Sequence, residues 1–134
     1  VLRVKNEANN MLQPGVLLDE YHVEVGKIMT SELIGLGLIS KTDVANQNPD
    51  WPAYKKYFPH GTSHYLGLDT HDVGSWNEPI KEKMVFTVEP GIYIPEEGIG
   101  IRLEDDVVIR SGGNLNLMAN IPIEADEIES LMNS

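Results

Sequence analysis

Cysteine is absent from the 134 residues. That excludes disulfides and every zinc site built on thiolates, and it makes a reducing cytoplasm the expected compartment. Basic side chains are scarce: 10 Lys and Arg stand against 21 Asp and Glu, a formal net charge of -11. Such a balance argues against nucleic-acid backbones and anionic membranes as partners. No apolar run reaches the about 18 residues of a spanning helix, and there is no internal repeat or low-complexity segment. The length fits one domain or part of one. Most of the acidic residues are read as solvated surface, leaving a minority free to gather around cations.

What is present changes period along the chain. "VLRVKNEANNML" sets Val1, Val4, Ala8 and Leu12 near one helical face, then stops at "QPG", where Pro14 and Gly15 punctuate. It starts with no cap before Val1, as expected of a chain cut from something longer. "LLDEYHVEVGKIMTSELIGLGLI" predicts a second helix with Tyr21, Val25, Ile28, Met29, Leu33 and Leu36 as its apolar side, loosened at Gly35 and Gly37. A polar loop from Asn46 to Pro52 leads to "WPAYKKYF", one or two helical turns. Further on, "KMVFTVEPGIYI" and "GIGIRLEDDVVIR" alternate as strands, "LNLMANIPI" is a third strand candidate, and "EADEIESLMN" closes as a short acidic helix. Helices first and strands afterwards indicate α+β, not a doubly wound sheet.

Between the halves, "HGTSHYLGLDTHDVG", residues 60–74, carries three of the 4 histidines. His60 and His64 have the i, i+4 spacing of the zinc motif H-E-x-x-H. Gly61 stands where that motif needs its general base, so this reading fails. Gly61, Gly67 and Gly74 would let irregular backbone bring the imidazoles together. Downstream, Glu89 sits within an apolar strand that Pro90 and Gly91 end, and Arg102 and Glu104 share one face of another strand. A carboxylate inside such a strand is costly to bury unless paired or metal-bound. The plain alternatives are a salt bridge between Glu104 and Arg102 and an exposed strand end for Glu89. Neither accounts for two acids following a histidine cluster. One imidazole and two carboxylates form an N/O set without sulfur, suited to Mn, Co, Fe or Zn. Two carboxylates can also bridge ions roughly 3.5–4 Å apart, with a bridging water as nucleophile.

Taken in order, "HGTSHYLGLDTHDVG", "FTVEPGIYI" and "GIGIRLEDDVVI" resemble the second half of the catalytic domain of the Xaa-Pro aminopeptidase (aminopeptidase P) family. These are pita-bread metallopeptidases, related to prolidase, methionine aminopeptidase and the metal-free creatinase. The resemblance runs over residues 1–134, including "QPG" and the closing acidic helix, and Ser63 lies closer to aminopeptidase P than to prolidase. It implies half of a pita-bread fold: two helices on one face of a curved antiparallel sheet, with a short C-terminal helix. It implies His64, Glu89 and Glu104 as metal ligands, with Glu89 also the general base toward the bridging water and Glu104 bridging two ions. It implies that His71 contacts the substrate and supports the tetrahedral intermediate, that His60 lines the substrate pocket, and that Arg102 orients the carboxylate ligands. The implied cofactors are two divalent ions, expected to be manganese. The implied substrates are peptides with proline in the second position, cut before that proline.

The family's first two ligands are aspartates on upstream strands. Asp19, Asp43, Asp50, Asp69, Asp72, Asp105 and Asp106 do not stand in that context, so both aspartates, with the N-terminal half, are expected to be absent. Glu89 and Glu104 balance the charge of one divalent ion, so at most one, weakly held, is expected in this chain. The chain alone is expected to be inactive, and to need the N-terminal half or form a homo-oligomer. The surface left by the missing half is expected to include Val85, Val88 and Ile101. The alternatives are a prolidase-like dipeptidase fragment, a non-catalytic pita-bread binding module, and a subunit that takes its aspartates from another chain.

Overall fold

The computed structural model describes residues 1–134. Helix α1 spans Leu2–Met11 and buries Val4 and Ala8, with Leu12 buried at its end. Helix α2 spans Leu18–Gly35 and buries Leu18, Tyr21, Val25, Met29 and Leu33. These residues recur every three or four positions, so they form one stripe. The two stripes meet each other, and α1 also meets the sheet, where Phe86, Val88, Val107 and Ile109 complete the core. Leu36, expected on the apolar side, is 63% exposed because the helix has ended at Gly35. Gly37, at φ 72, then turns the chain.

Helix α3, Lys41–Ala45, was not expected. Its cause is local: Ser40 and Asp43 form a reciprocal capping box, side chain to backbone in both directions. A 3-10 turn at Ala53–Lys56 and helix α4 at Ala125–Met132 lie where the sequence predicts them.

The two long strands expected are each broken, at the same level. β1 (Val85–Val88) and β2 (Gly91–Ile94) are separated by Glu89 and Pro90; β3 (Ile99–Arg102) and β4 (Asp105–Val108) by Leu103 and Glu104. β1 pairs antiparallel with β4, and β2 with β3. Pro90 has no N–H to give to a ladder, so the ribbon bends there. The register nevertheless continues: Val88 stands opposite Asp105 and Gly91 opposite Arg102, which puts Glu89 opposite Glu104 in the gap. The antiparallel sheet is therefore two sheets, β1-β4-β5 and β2-β3, joined by the bend.

Of "LNLMANIPI", only Leu115–Asn116 (β5) is strand. The neighbouring asparagines bond elsewhere: Asn114 Nδ2 donates to Leu12 O at 2.7 Å, and Asn116 Oδ1 accepts from Met118 N–H at 2.7 Å. Such side-chain bonds give the backbone an alternative to the ladder. Lys5 of α1 and Asp105 of β4, 6% and 7% exposed, form a buried ion pair to which Asn116 Nδ2 adds a bond at 2.8 Å. The pair ties the first helix to the strand that follows Glu104. Val88, expected on the surface, lies fully in the core, whereas Ile101 is exposed. No helix is long and apolar enough to cross a membrane.

Candidate metal centre

Residues 62–66 run along β1 as an irregular extra strand. Glu89 N–H donates to Thr62 O at 2.8 Å, Thr87 N–H to His64 O at 3.2 Å, and Leu66 N–H to Val85 O at 3.1 Å. This pairing brings the histidine stretch to the end of β1, where His64 Nε2 stands 3.0 Å from Glu89 Oε1. Thr87 serves both residues: its buried hydroxyl accepts from His64 N–H at 3.1 Å and donates to Glu89 Oε1 at 3.2 Å.

The other nitrogen of that ring, His64 Nδ1, stands 2.9 Å from Tyr65 O. A carbonyl only accepts, so Nδ1 carries the proton. Nε2 then meets a carboxylate oxygen, acceptor against acceptor, unless a second proton or a cation lies between. Arg102 supplies positive charge nearby, with Nη1 3.9 Å from Glu89 Oε2 and Nε 3.8 Å from Glu104 Oε2. Burial, and then the Glu89 charge opposite it, push the Glu104 carboxyl above its ordinary range, against the pull of Arg102. A nitrogen and two crowded carboxylates make a donor set that fits a divalent cation. His64 and Glu89 adjoin; Glu104 is linked to Glu89 through Arg102, and no three His, Asp or Glu side chains are gathered at ligand spacing. The salt bridge expected as the plain alternative for Glu104 is thus present as a long contact to Arg102, while Glu89 is half-buried beyond the end of β1.

His71 is exposed on the following loop, and its ring meets that of His64 edge-on, centroids 4.4 Å apart. Asp72 holds this loop: its N–H donates to Tyr65 O at 3.1 Å, and its carboxylate accepts from Leu68 N–H at 3.0 Å. His60 is fixed at both nitrogens, Nδ1 donating to Gly61 O at 2.8 Å and Nε2 accepting from the Tyr93 hydroxyl at 2.8 Å.

All four histidines line a cavity of about 350 Å³ with Glu89 and Arg102, while Glu104 lines a neighbouring one with Arg102 and Asp105. Sequence reasoning missed Thr87, Tyr93 and the fourth histidine, His22 of α2. Burial, opposed by the Ser63 backbone bond, holds the His22 imidazole below its ordinary value. Burial likewise pushes the neighbouring Tyr21 hydroxyl up, against its bond to Ser63. The only signal was a histidine beside the apolar stripe of a helix, which does not distinguish a cavity wall from a solvated position.

The model of metallopeptidase family M24 matches residues 1–111. The Xaa-Pro aminopeptidase of Haemophilus influenzae is 40% identical over 145 residues, covering 99% of this chain and 33% of its own length. That of Escherichia coli is 43% identical, covering 98% and 32%. Zinc-substituted Escherichia coli aminopeptidase P in complex with product superimposes with a TM-score of 0.85 at 41% identity, over 98% of this chain and 32% of that one. Proline aminopeptidase P II of Yersinia pestis does so with a TM-score of 0.85 at 39% identity, over 99% and 33%. The chain spans about a third of the length of the curated relatives it matches.

Proposed function

The chain belongs to metallopeptidase family M24, and from that membership we propose that residues 1–134 are the C-terminal part of the catalytic domain of an Xaa-Pro aminopeptidase. The proposed reaction is hydrolysis of the bond between an N-terminal residue and a following proline. His64, Glu89 and Glu104 would hold a divalent ion. The donor set of nitrogen and oxygen without sulfur suits Mn, Co, Fe or Zn alike, and manganese is proposed among them because the resemblance to aminopeptidase P implies it. The observation that carries this reading is the His64–Glu89 contact, in which a ring nitrogen and a carboxylate oxygen meet at 3.0 Å, with Glu104 in register opposite.

Held there by His64, Glu89 and Glu104, a divalent ion would supply Lewis acidity toward the scissile carbonyl and lower the pKa of water. The remaining work falls to this chain's own residues. Glu89, steadied by the Thr87 hydroxyl, takes a proton from the attacking water. His71, exposed beside His64, faces the substrate and stabilises charge developing on its carbonyl oxygen. His60, locked by Gly61 and Tyr93, is a fixed wall of the substrate pocket. Arg102 keeps the two carboxylates from separating. Two glutamates neutralise one divalent ion, so a second needs carboxylates from elsewhere: an N-terminal half or another chain. The lack of cysteine supports a cytoplasmic setting.

Titrating the chain with manganese by calorimetry, beside Glu104→Ala, tests this reading. One weakly bound ion per chain is expected, with affinity reduced about tenfold or more in the variant. Two tight ions, or indifference to the substitution, would show the ligand set to be wrong. On an Xaa-Pro tripeptide with excess manganese, negligible turnover by the chain alone is expected.

A further inference from the structure

Ser63, the residue before His64, is 3% exposed and makes no main-chain hydrogen bond. Buried backbone groups need partners, and here one side chain lies within reach of both. His22 Nε2 lies 3.3 Å from the Ser63 N–H and 3.1 Å from the Ser63 carbonyl. Protonated, Nε2 donates to the carbonyl; unprotonated, it accepts from the N–H. Either neutral tautomer therefore grips the same residue, at one backbone group or the other. The preceding residue of α2 takes the side chain: the Tyr21 hydroxyl is 2.9 Å from Ser63 Oγ. Two consecutive helix residues thus hold Ser63, Tyr21 by its side chain and His22 by one or other of its backbone groups.

The opposite side of the same stretch is held by β1, through the Thr87 hydroxyl on His64 N–H and the Thr87 N–H on His64 O. We propose that His22 is a positioning residue: it fixes the backbone that presents His64, so that the imidazole meets Glu89 ready to capture a cation. This rests on the metal reading given above. The placement of His22 suits the task. Its ring lies between those of Tyr21 and Trp76, centroids 5.3 and 6.0 Å away, and it sits over Gly61, where an added Cβ would stand 3.6 Å from its Cε1. Packing sets the ring and the ring sets the peptide. Its Nε2 is engaged by Ser63, so His22 acts through His64 and not upon a substrate.

The test compares the wild-type chain with His22→Phe, which keeps the ring packing and loses both polar contacts, and His22→Gln, whose amide reaches as far as Nε2. Amide exchange is followed without metal, and manganese affinity by calorimetry. In His22→Phe, the Ser63 and His64 amides should exchange about tenfold faster and manganese should bind about tenfold more weakly, as for loss of about one buried hydrogen bond. Val25 and Phe86 amides should be unchanged, and His22→Gln should restore both readouts to within about threefold. If His22→Phe does not fold, His22→Asn, too short to reach Ser63, carries the same expectation. Unchanged exchange at Ser63 and His64 overturns the proposal. So does faster exchange with wild-type manganese affinity, or a loss spread over α2 and β1. A wild-type chain that binds no manganese would count against the metal function itself, while the exchange arm would still decide whether His22 holds the loop.

Discussion

Gly26 lies on the face of α2 that meets the Ala53–Lys56 turn, and a Cβ there would come within 2.7–2.8 Å of the Tyr54 ring. Tyr54 would have to leave its place beside α2. Gly26→Ala is therefore expected to destabilise the chain by about 1–3 kcal/mol, as overpacking does. Gly35, in the same helix, has nothing within 4 Å of an added Cβ, so Gly35→Ala should stabilise by about 0.5–1 kcal/mol. Denaturant midpoints of the two variants should move in opposite directions. A shared direction would mean that helix propensity, and not the close approach of Tyr54, governs position 26. At this scale the motif histidines and acids could be picked out by residue type and spacing. His22 could not, because a side chain that bonds a distant peptide leaves no local pattern.

Among the elements, α3 depends on its capping box. The Ser40 hydroxyl, and then the Ser40 backbone N–H, hold the Asp43 carboxyl below its ordinary value of 3.8. A depressed folded-state value means that the group stabilises the helix above 3.8 and ceases to do so as pH falls through the lower folded value. Amide shifts of residues 40–46 are expected to lose their helical character over that acid range, ahead of α1 and α2. Asp43→Asn should abolish the pH dependence; a helix that titrates identically in the variant would place the cause elsewhere. The strand breaks at Glu89–Pro90 and Leu103–Glu104 belong to the same scale. Only Pro90 announced its break. The one opposite came from pairing, since a bend in one strand imposes a bend on its antiparallel neighbour.

For the molecule as a whole, Ile99, Ile101, Leu117 and Ile121 remain at least half exposed, 50 to 53% each. Ile101 also lines an apolar groove of about 550 Å³, with Leu103, Ile123 and Ile128. The β2-β3 pair has no third strand, and the outer edge of β2 is bonded at Tyr93 N–H, to Tyr57 O, which leaves the edge of β3 open. Exposed apolar surface and unpaired edges favour association. The charge of -11 opposes it, but over only about 8 Å at physiological salt. Sedimentation at tens of micromolar is expected to show a dimer in physiological salt that weakens in dilute salt. A monomer in both conditions would mean that this surface is too small or too divided to bind a second copy.

Helices α1, α2 and α4, the α+β order and the choice of the motif histidines and acids as candidates followed from the sequence by itself, because periodicity, glycine and proline punctuation and motif spacing act over a few residues. What only the tertiary structure decided is non-local. The register of the bent ribbon sets Glu89 opposite Glu104. The pairing of residues 62–66 with β1 brings His64 to Glu89. The packing of α2 on that loop adds His22 and Tyr21. Each joins residues well separated along the chain, and the energy that selects them comes from burying apolar surface while finding partners for buried backbone groups, a balance struck by the chain as a whole and encoded by no short stretch of it.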